Sequence, residues 1–131
     1  MPARARGGRL RPALAGLLGL LASGCAPKEP GVSPAGQWFV QKGCAQCHTI
    51  ASLGVRGRPT AAPDLSVAAE DVPRRYGVSL EQFLDAPRSG TMAIVLSVQI
   101  RLTPEERAAA ARGLREALQR HRGGRDGSVA P

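Results

Sequence analysis

Two cysteines and a histidine form a group whose spacing indicates a specific chemistry. Cys44 and Cys47 are separated by two residues, and His48 directly follows the second cysteine. The pattern Cys-x-x-Cys-His is the attachment signature of c-type haem. Each thiol adds to one of two vinyl groups on adjacent pyrroles, and the histidine is then directed at the iron. His48 is therefore predicted to bind iron through Nε2 and to donate its Nδ1–H to an acceptor that fixes the ring.

The same residues allow three other interpretations. A structural zinc site needs four ligands, and only His121 is available to complete a set with Cys44, Cys47 and His48, because Cys25 is assigned to the lipid attachment described next. A thioredoxin-like dithiol requires a βαβ pattern around the cysteines, and the neighbouring sequence is not rich in strand formers. The third interpretation is a chance occurrence of the motif.

Residues 1–24 are predicted to be a secretory signal peptide of the lipoprotein type. Four arginines precede an apolar run from Ala13 to Ala22, which is too short to span a bilayer. The run leads into Ala22-Ser23-Gly24-Cys25, which resembles a bacterial lipobox, although Ala22 stands where leucine is more usual. Cys25 is then the lipidated N-terminus. Ordinary cleavage, leaving Cys25 as an unpaired thiol, is the alternative.

Length and charge indicate one small exported domain. The segment 25–34 is a Pro-rich linker, 35–122 is the folded domain, and 123–131 is predicted to be disordered. Removing the four leader arginines lowers the net charge from +8 to +4. This mild excess gives no nucleic-acid signal, although it suits an acidic partner or anionic lipid. Only 3% of residues are aromatic, so a haem would supply apolar bulk to the core.

The segment from Phe39 to Ile50 resembles the first helix and haem site of class I cytochromes c. Gly36 and Phe39 stand close to a glycine and an aromatic of that family, and Gly43 resembles a one-residue insertion. The resemblance implies an all-α, cytochrome c-like fold with three to five short helices around one covalently attached haem. It also implies that the N- and C-terminal helices cross, with Gly113 placed opposite Gly36.

The resemblance extends to both sides of the haem. Ala62-Pro63-Asp64-Leu65 is similar to the family's Gly-Pro-x-Leu, which implies that the Pro63 carbonyl accepts the His48 Nδ1–H and that Leu65 packs on the haem. Met92 is the last residue of the predicted loop 88–92, and it stands where the family has its second axial ligand. Met92 is also the only methionine left after removal of the leader.

The axial position opposite His48 has other possible occupants. Met92 could instead fill a gap in the core, which is the usual role of methionine. The family's proline after the methionine is Ala93 here. His121 is the rival ligand, but its position near the end of a helix favours an exposed residue.

Capping signals predict three helices. One begins with Ser33 and Pro34, one with Ser79 and Gln82 in a capping box, and the last with Thr103, Pro104, Glu105 and Glu106.

Other segments give weaker signals. A short helix over Ser66–Tyr76 is predicted to be interrupted at Pro73, and its Arg74, Arg75 or Tyr76 is a candidate donor to a haem propionate. The run Ala93–Ile100 has the composition of a buried strand. The resemblance instead implies an irregular or short helical segment over the distal side of the haem.

Together these features predict a single-haem electron carrier and not an enzyme. With His48 and Met92 both bound, iron has no open position for a substrate, so one-electron transfer between redox partner proteins is favoured. The expected location is the periplasmic side of a membrane, anchored by lipid on Cys25. Two alternatives are a haem subunit of a larger oxidoreductase complex and an open-site gas sensor or peroxidase-like protein, for which Arg88 is the one distal candidate.

Overall fold

The chain is mostly helical in the part that this computed structural model describes, residues 31–58 and 62–126. The α-helices are α1 Pro34–Gln41, α2 Ala68–Tyr76, α3 Leu80–Asp85, α4 Gly90–Ile94 and α5 Pro104–Asp126. Short 3₁₀ turns occupy Cys44–Gln46, Ala51–Leu53 and Leu65–Val67, and a π-helical turn occupies Val95–Gln99. Within those described ranges there is no strand, so the all-α class is confirmed. The predicted leader, Cys25 and residues 127–131 lie outside them.

Helices α1, α3 and α5 begin where the capping signals predicted. The Ser33 hydroxyl accepts a hydrogen bond from the Gly36 N–H at 3.1 Å. Ser79 and Gln82 form a complete capping box, with distances of 2.9 and 3.1 Å. Thr103 and Glu106 form the equivalent pair at the start of α5. Each cap satisfies backbone N–H groups that have no partner within the helix.

Helix α2 passes through Pro73, so the predicted interruption is wrong. A proline removes one backbone N–H but leaves its own carbonyl available, and the Pro73 carbonyl accepts the Gly77 N–H at 2.9 Å. The helix ends at Tyr76 because Gly77 adopts a left-handed conformation with φ of +67°.

The segment that carries Met92 is helical, where the sequence predicted a loop over 88–92. Met92 lies inside α4, whose last residue leads directly into the π-helical turn. The strand propensity of Ala93–Ile100 is overridden, as the resemblance implied. In the π turn the Ile100 N–H donates to the Val95 carbonyl at 2.8 Å, so the turn holds one residue more than an α-helical turn.

Helix α5 is the packing partner of α1, α2, α3 and the two 3₁₀ turns at Ala51–Leu53 and Leu65–Val67. It buries an apolar stripe, which consists of Ala110, Ala111, Leu114 and Ala117. It also continues beyond Arg122, where the sequence predicted a disordered tail. The Arg122 guanidinium pairs with Glu70 of α2 at 2.9 Å, and Arg125 in the last turn complements the helix dipole. These interactions offset the low helix propensity of Gly123 and Gly124.

The contact between α1 and α5 differs from the predicted pairing of two glycines. A methyl group on Gly113 would lie 2.7 Å from Phe39, so Gly113 faces that ring and not Gly36. Gly36 lies against the Leu53 carbonyl and Val55. The buried Phe39 ring fills the space at the crossing, and for this reason only glycine fits at position 113.

None of the helices within the described ranges combines the length and the hydropathy needed to cross a membrane.

Candidate functional site

The Cys-x-x-Cys-His motif lies in a compact turn after α1. Gly43 has a φ of +84° and reverses the chain direction, which a side-chain-bearing residue does only at a cost. The Cys44 carbonyl then accepts the N–H groups of Cys47, at 3.2 Å, and His48, at 3.0 Å. Cys44 is half-buried against the core and Cys47 is exposed. No disulfide joins these two cysteines.

Lys42 fixes the end of α1 beside this turn. Its ammonium pairs with Glu106 at the start of α5 and lies 5.9 Å from the centre of the Trp38 ring. The motif therefore follows a helix that is connected to α5 by an ion pair as well as by apolar packing.

The His48 ring is held by a backbone carbonyl. Its Nδ1 atom lies 2.8 Å from Pro63 O, which is hydrogen-bonding distance. A carbonyl only accepts, so Nδ1 carries the proton and Nε2 has a lone pair. The contact is the one that the resemblance implied, and it gives His48 the tautomer that a metal-binding histidine needs.

Two further bonds connect the segments that carry His48 and Pro63. The Leu65 N–H donates to the Thr49 carbonyl at 2.9 Å. The Ser52 N–H donates to the Ser66 hydroxyl at 3.1 Å. Both bonds follow the contact between His48 and Pro63 along the two segments, so they hold the segments together on that side.

Gly57 packs directly on the His48 backbone. A methyl group at this position would lie 2.3 Å from the His48 carbonyl oxygen and 2.7 Å from the Thr49 nitrogen. The Gly57 N–H donates to the Thr49 hydroxyl at 3.2 Å. Any larger residue would displace the backbone of the histidine.

The geometry gives no support to a dithiol or zinc centre. Burial raises the pKa of the Cys44 thiol to about 11, whereas a reactive dithiol acts through a thiolate with a lowered pKa. Across residues 31–58 and 62–126, no three His, Cys, Asp or Glu side chains are grouped so as to hold a metal ion. His121 therefore completes no zinc site with the motif. A thioether, which has no proton to lose, is compatible with the apolar surroundings of Cys44.

Met92 and Leu65 share the core on which Cys44 packs. All three are partly buried against the same cluster of apolar side chains. Ile94 and Val98, by contrast, are 60% and 64% exposed. The segment thus has an inner face with Met92 and an outer face with two exposed apolar residues.

A cavity of about 390 Å³ lies between the end of α3 and the segment that follows Met92. Its walls are mainly apolar, and Arg107 and Asp85 form an ion pair of 3.2 Å at its edge. The lining residues are Leu84, Asp85, Ala86, Pro87, Ala93, Leu96, Ser97, Leu102 and Arg107. The lining of this cavity does not include Cys44, Cys47, His48 or Met92.

The candidate propionate donors have other partners. Arg74 and Arg75 both pair with Asp71 on their own helix. Tyr76 stacks on Phe83, with ring centres 4.9 Å apart.

Two residues that contribute to the site were not identified from the sequence, Asp64 and Gly57. Asp64 directly precedes a helical turn and accepts its Ser66 N–H at 2.8 Å, so its N-cap pattern was the available signal. Gly57 is one of several glycines in a loop, and nothing local distinguishes it.

Comparisons with models of protein families, with characterised proteins and with solved structures found no match to this chain.

Proposed function

We propose that this chain is a one-electron carrier with a single covalently attached haem c, and that it has the cytochrome c-like form of the all-α class. Cys44 and Cys47 form the thioether bonds, and His48 and Met92 are the axial ligands. The carrier is exported and is anchored to a membrane by lipid on Cys25.

The hydrogen bond between His48 Nδ1 and Pro63 O is the observation that carries this proposal. It leaves Nε2 as the ring atom for a metal. It also increases the electron donation of the imidazole. An exposed histidine on a surface loop has no need of such a fixed partner, and here the residue follows two cysteines at the spacing of the haem signature.

The donor set fits a haem iron that exchanges electrons without binding a substrate. The haem supplies the one-electron iron couple. His48 provides a nitrogen donor with a fixed ring plane, and Met92 provides a soft sulfur that favours the ferrous state and raises the reduction potential. Leu65 adds an apolar side chain beside the histidine segment, which limits access of water.

Brief docking with redox partner proteins is the expected mode of action, since a carrier must release each partner after transfer. The mild positive charge of the exported part suits acidic partners and gives no reason to expect nucleic acid.

Optical spectra of the exported protein, produced with a bacterial haem-ligation system, test the proposal. We expect covalent haem that survives denaturation and a weak sulfur-to-iron band in the near red of the ferric form. Met92→Ala should abolish that band. Leu96→Ala, which truncates another half-buried side chain of the same segment, should retain it.

Other outcomes point elsewhere. A wild-type ferric spectrum that is high-spin, with carbon monoxide binding after reduction, would contradict methionine ligation and favour the sensor or peroxidase-like alternative. The lack of any covalent haem would overturn the proposal. Stable co-purification with a larger oxidoreductase would replace a free carrier with a dedicated subunit.

A further inference from the structure

We propose that Asp64 is a positioning residue for His48, acting through the carbonyl of Pro63. The inference rests on the proposed function, because it concerns the histidine assigned to the iron. It adds a residue outside the motif whose hydrogen bonds restrain the position of the acceptor of the Nδ1–H.

The Asp64 carboxylate connects two backbone segments. One oxygen accepts the Ser66 N–H at 2.8 Å, and both oxygens lie 3.4 Å from the Ala51 nitrogen. These donors are backbone amides and not cationic side chains. The carboxylate therefore acts on the path of the main chain.

The peptide bond between Pro63 and Asp64 contains the carbonyl that His48 uses. Hydrogen bonds to the Asp64 side chain restrict the Asp64 backbone, which has φ of −67° and ψ of 126°. On the far side of Asp64, the Leu65 N–H is fixed to Thr49 at 2.9 Å. The plane of that peptide, and hence the direction of the Pro63 carbonyl, is restrained through Asp64 and the residues that follow it.

The ring of Pro63 fixes its φ but not its ψ, which sets the direction of its carbonyl. The residue is also exposed. The position of its carbonyl must therefore come from neighbours, and Asp64 is the neighbour whose side chain binds both segments.

The test is the exchange rate of the His48 Nδ1 proton, measured by NMR in the reduced, ¹⁵N-labelled holoprotein. Asp64→Ala should accelerate exchange about five- to tenfold, the factor expected when one capping interaction is lost. Asp64→Asn retains an acceptor oxygen and should stay close to wild type. Ser79→Ala is the matched control, because it removes a comparable cap from α3, and it should leave this exchange rate unchanged.

The reduction potential provides a second readout. Both Asp64 variants remove one negative charge, so the charge effect is common to them. Asp64→Ala should have the higher potential of the two, because a weaker bond to Pro63 makes the imidazole a poorer donor to ferric iron.

Unchanged exchange in Asp64→Ala, equal acceleration in both Asp64 variants, or equal acceleration in Ser79→Ala would each overturn the assignment. If Asp64→Ala does not fold, Asp64→Asn decides alone: an exchange rate far from wild type in the folded variant would contradict the role. In any of these cases the wild type still carries haem, so the proposed function would stand while the role of Asp64 would not. A wild type without covalent haem would overturn the proposed function and this inference together.

Discussion

At the scale of single residues, the site depends on how closely two backbone segments approach. Gly57→Ala is expected to destabilise the protein by about 1–3 kcal/mol, the usual cost of overpacking. Its new methyl group would lie 2.3 Å from the His48 carbonyl oxygen, and the obstructing atom is backbone, which cannot rotate away. Chemical denaturation of the variant and the wild type measures this difference.

Gly90→Ala is the matched control for that substitution. A methyl group on Gly90 has no neighbour within 4 Å. Since Gly90 lies in α4, the free energy of unfolding should stay the same or increase by up to about 1 kcal/mol. Equal effects of the two substitutions would show that the contact of Gly57 with His48 has no energetic importance.

The residues of the site differ in how well the sequence predicted them. The motif was recognisable from its residue types and spacing, whereas its proline acceptor was implied only by the resemblance to class I cytochromes c. Gly57 was not recognisable, because its requirement arises from a contact with a backbone that is distant in sequence. A local pattern contains no information on that distance.

At the scale of elements, glycine at position 113 lowers the helix propensity of α5 but leaves room for the Phe39 ring. Gly113→Ala should gain about 1 kcal/mol of propensity and lose more by overpacking, because Phe39 is buried and its ring would lie 2.7 Å from the new methyl group. We expect net destabilisation in thermal denaturation. The same change at Gly124, which has open space, should be neutral or stabilising. Stabilisation at both positions would contradict the packing argument.

Two serines at helix starts provide a second comparison. Ser79 caps α3 through its hydroxyl, whereas Ser89 precedes α4 without a side-chain cap. Ser79→Ala is expected to cost about 1 kcal/mol, and Ser89→Ala should have little effect. Urea denaturation of both variants measures the two changes, and equal losses would show that the hydroxyl of Ser79 has no capping role.

Helix starts were predictable and helix interiors less so. Caps are local, so Ser33, Ser79 and Thr103 were identified from a few neighbouring residues. The helical state of α4 was missed because Ser89, Gly90 and Thr91 have a loop-like composition. Helix α2 continues through Pro73 because one lost hydrogen bond does not outweigh its contacts with α5.

At the scale of the whole molecule, ion pairs connect α5 to earlier elements and make stability depend on pH. Hydrogen bonds from Lys42 and then from the Thr103 backbone hold the pKa of Glu106 below its ordinary value of 4.5. Arg115 lowers the pKa of Glu81 in the same way. The stabilisation contributed by a carboxyl group with a lowered pKa is fully present above about pH 4.5. It is lost as the pH falls through the pKa of that group in the folded state.

The midpoint of thermal unfolding should therefore decrease below about pH 4.5, and Glu106→Gln should reduce the slope of that decrease. Glutamine keeps a side-chain acceptor for the Thr103 N–H while removing the charge. Glu116→Gln is the control, since its partner Arg120 lies on the same helix. The same slope in Glu106→Gln and wild type would contradict a contribution from the pair with Lys42.

The position of α5 at the end of the chain has a consequence for the order of assembly. Its partners α1, α2 and α3 all precede it in sequence. The core is therefore complete only after α5 has packed against them. In a polypeptide that crosses a membrane with its N-terminus first, Cys44 and Cys47 emerge while α5 is still on the other side. Under the proposed export and haem attachment, the thiols would be accessible to a ligation enzyme before folding buries Cys44, and translocation would separate modification from folding.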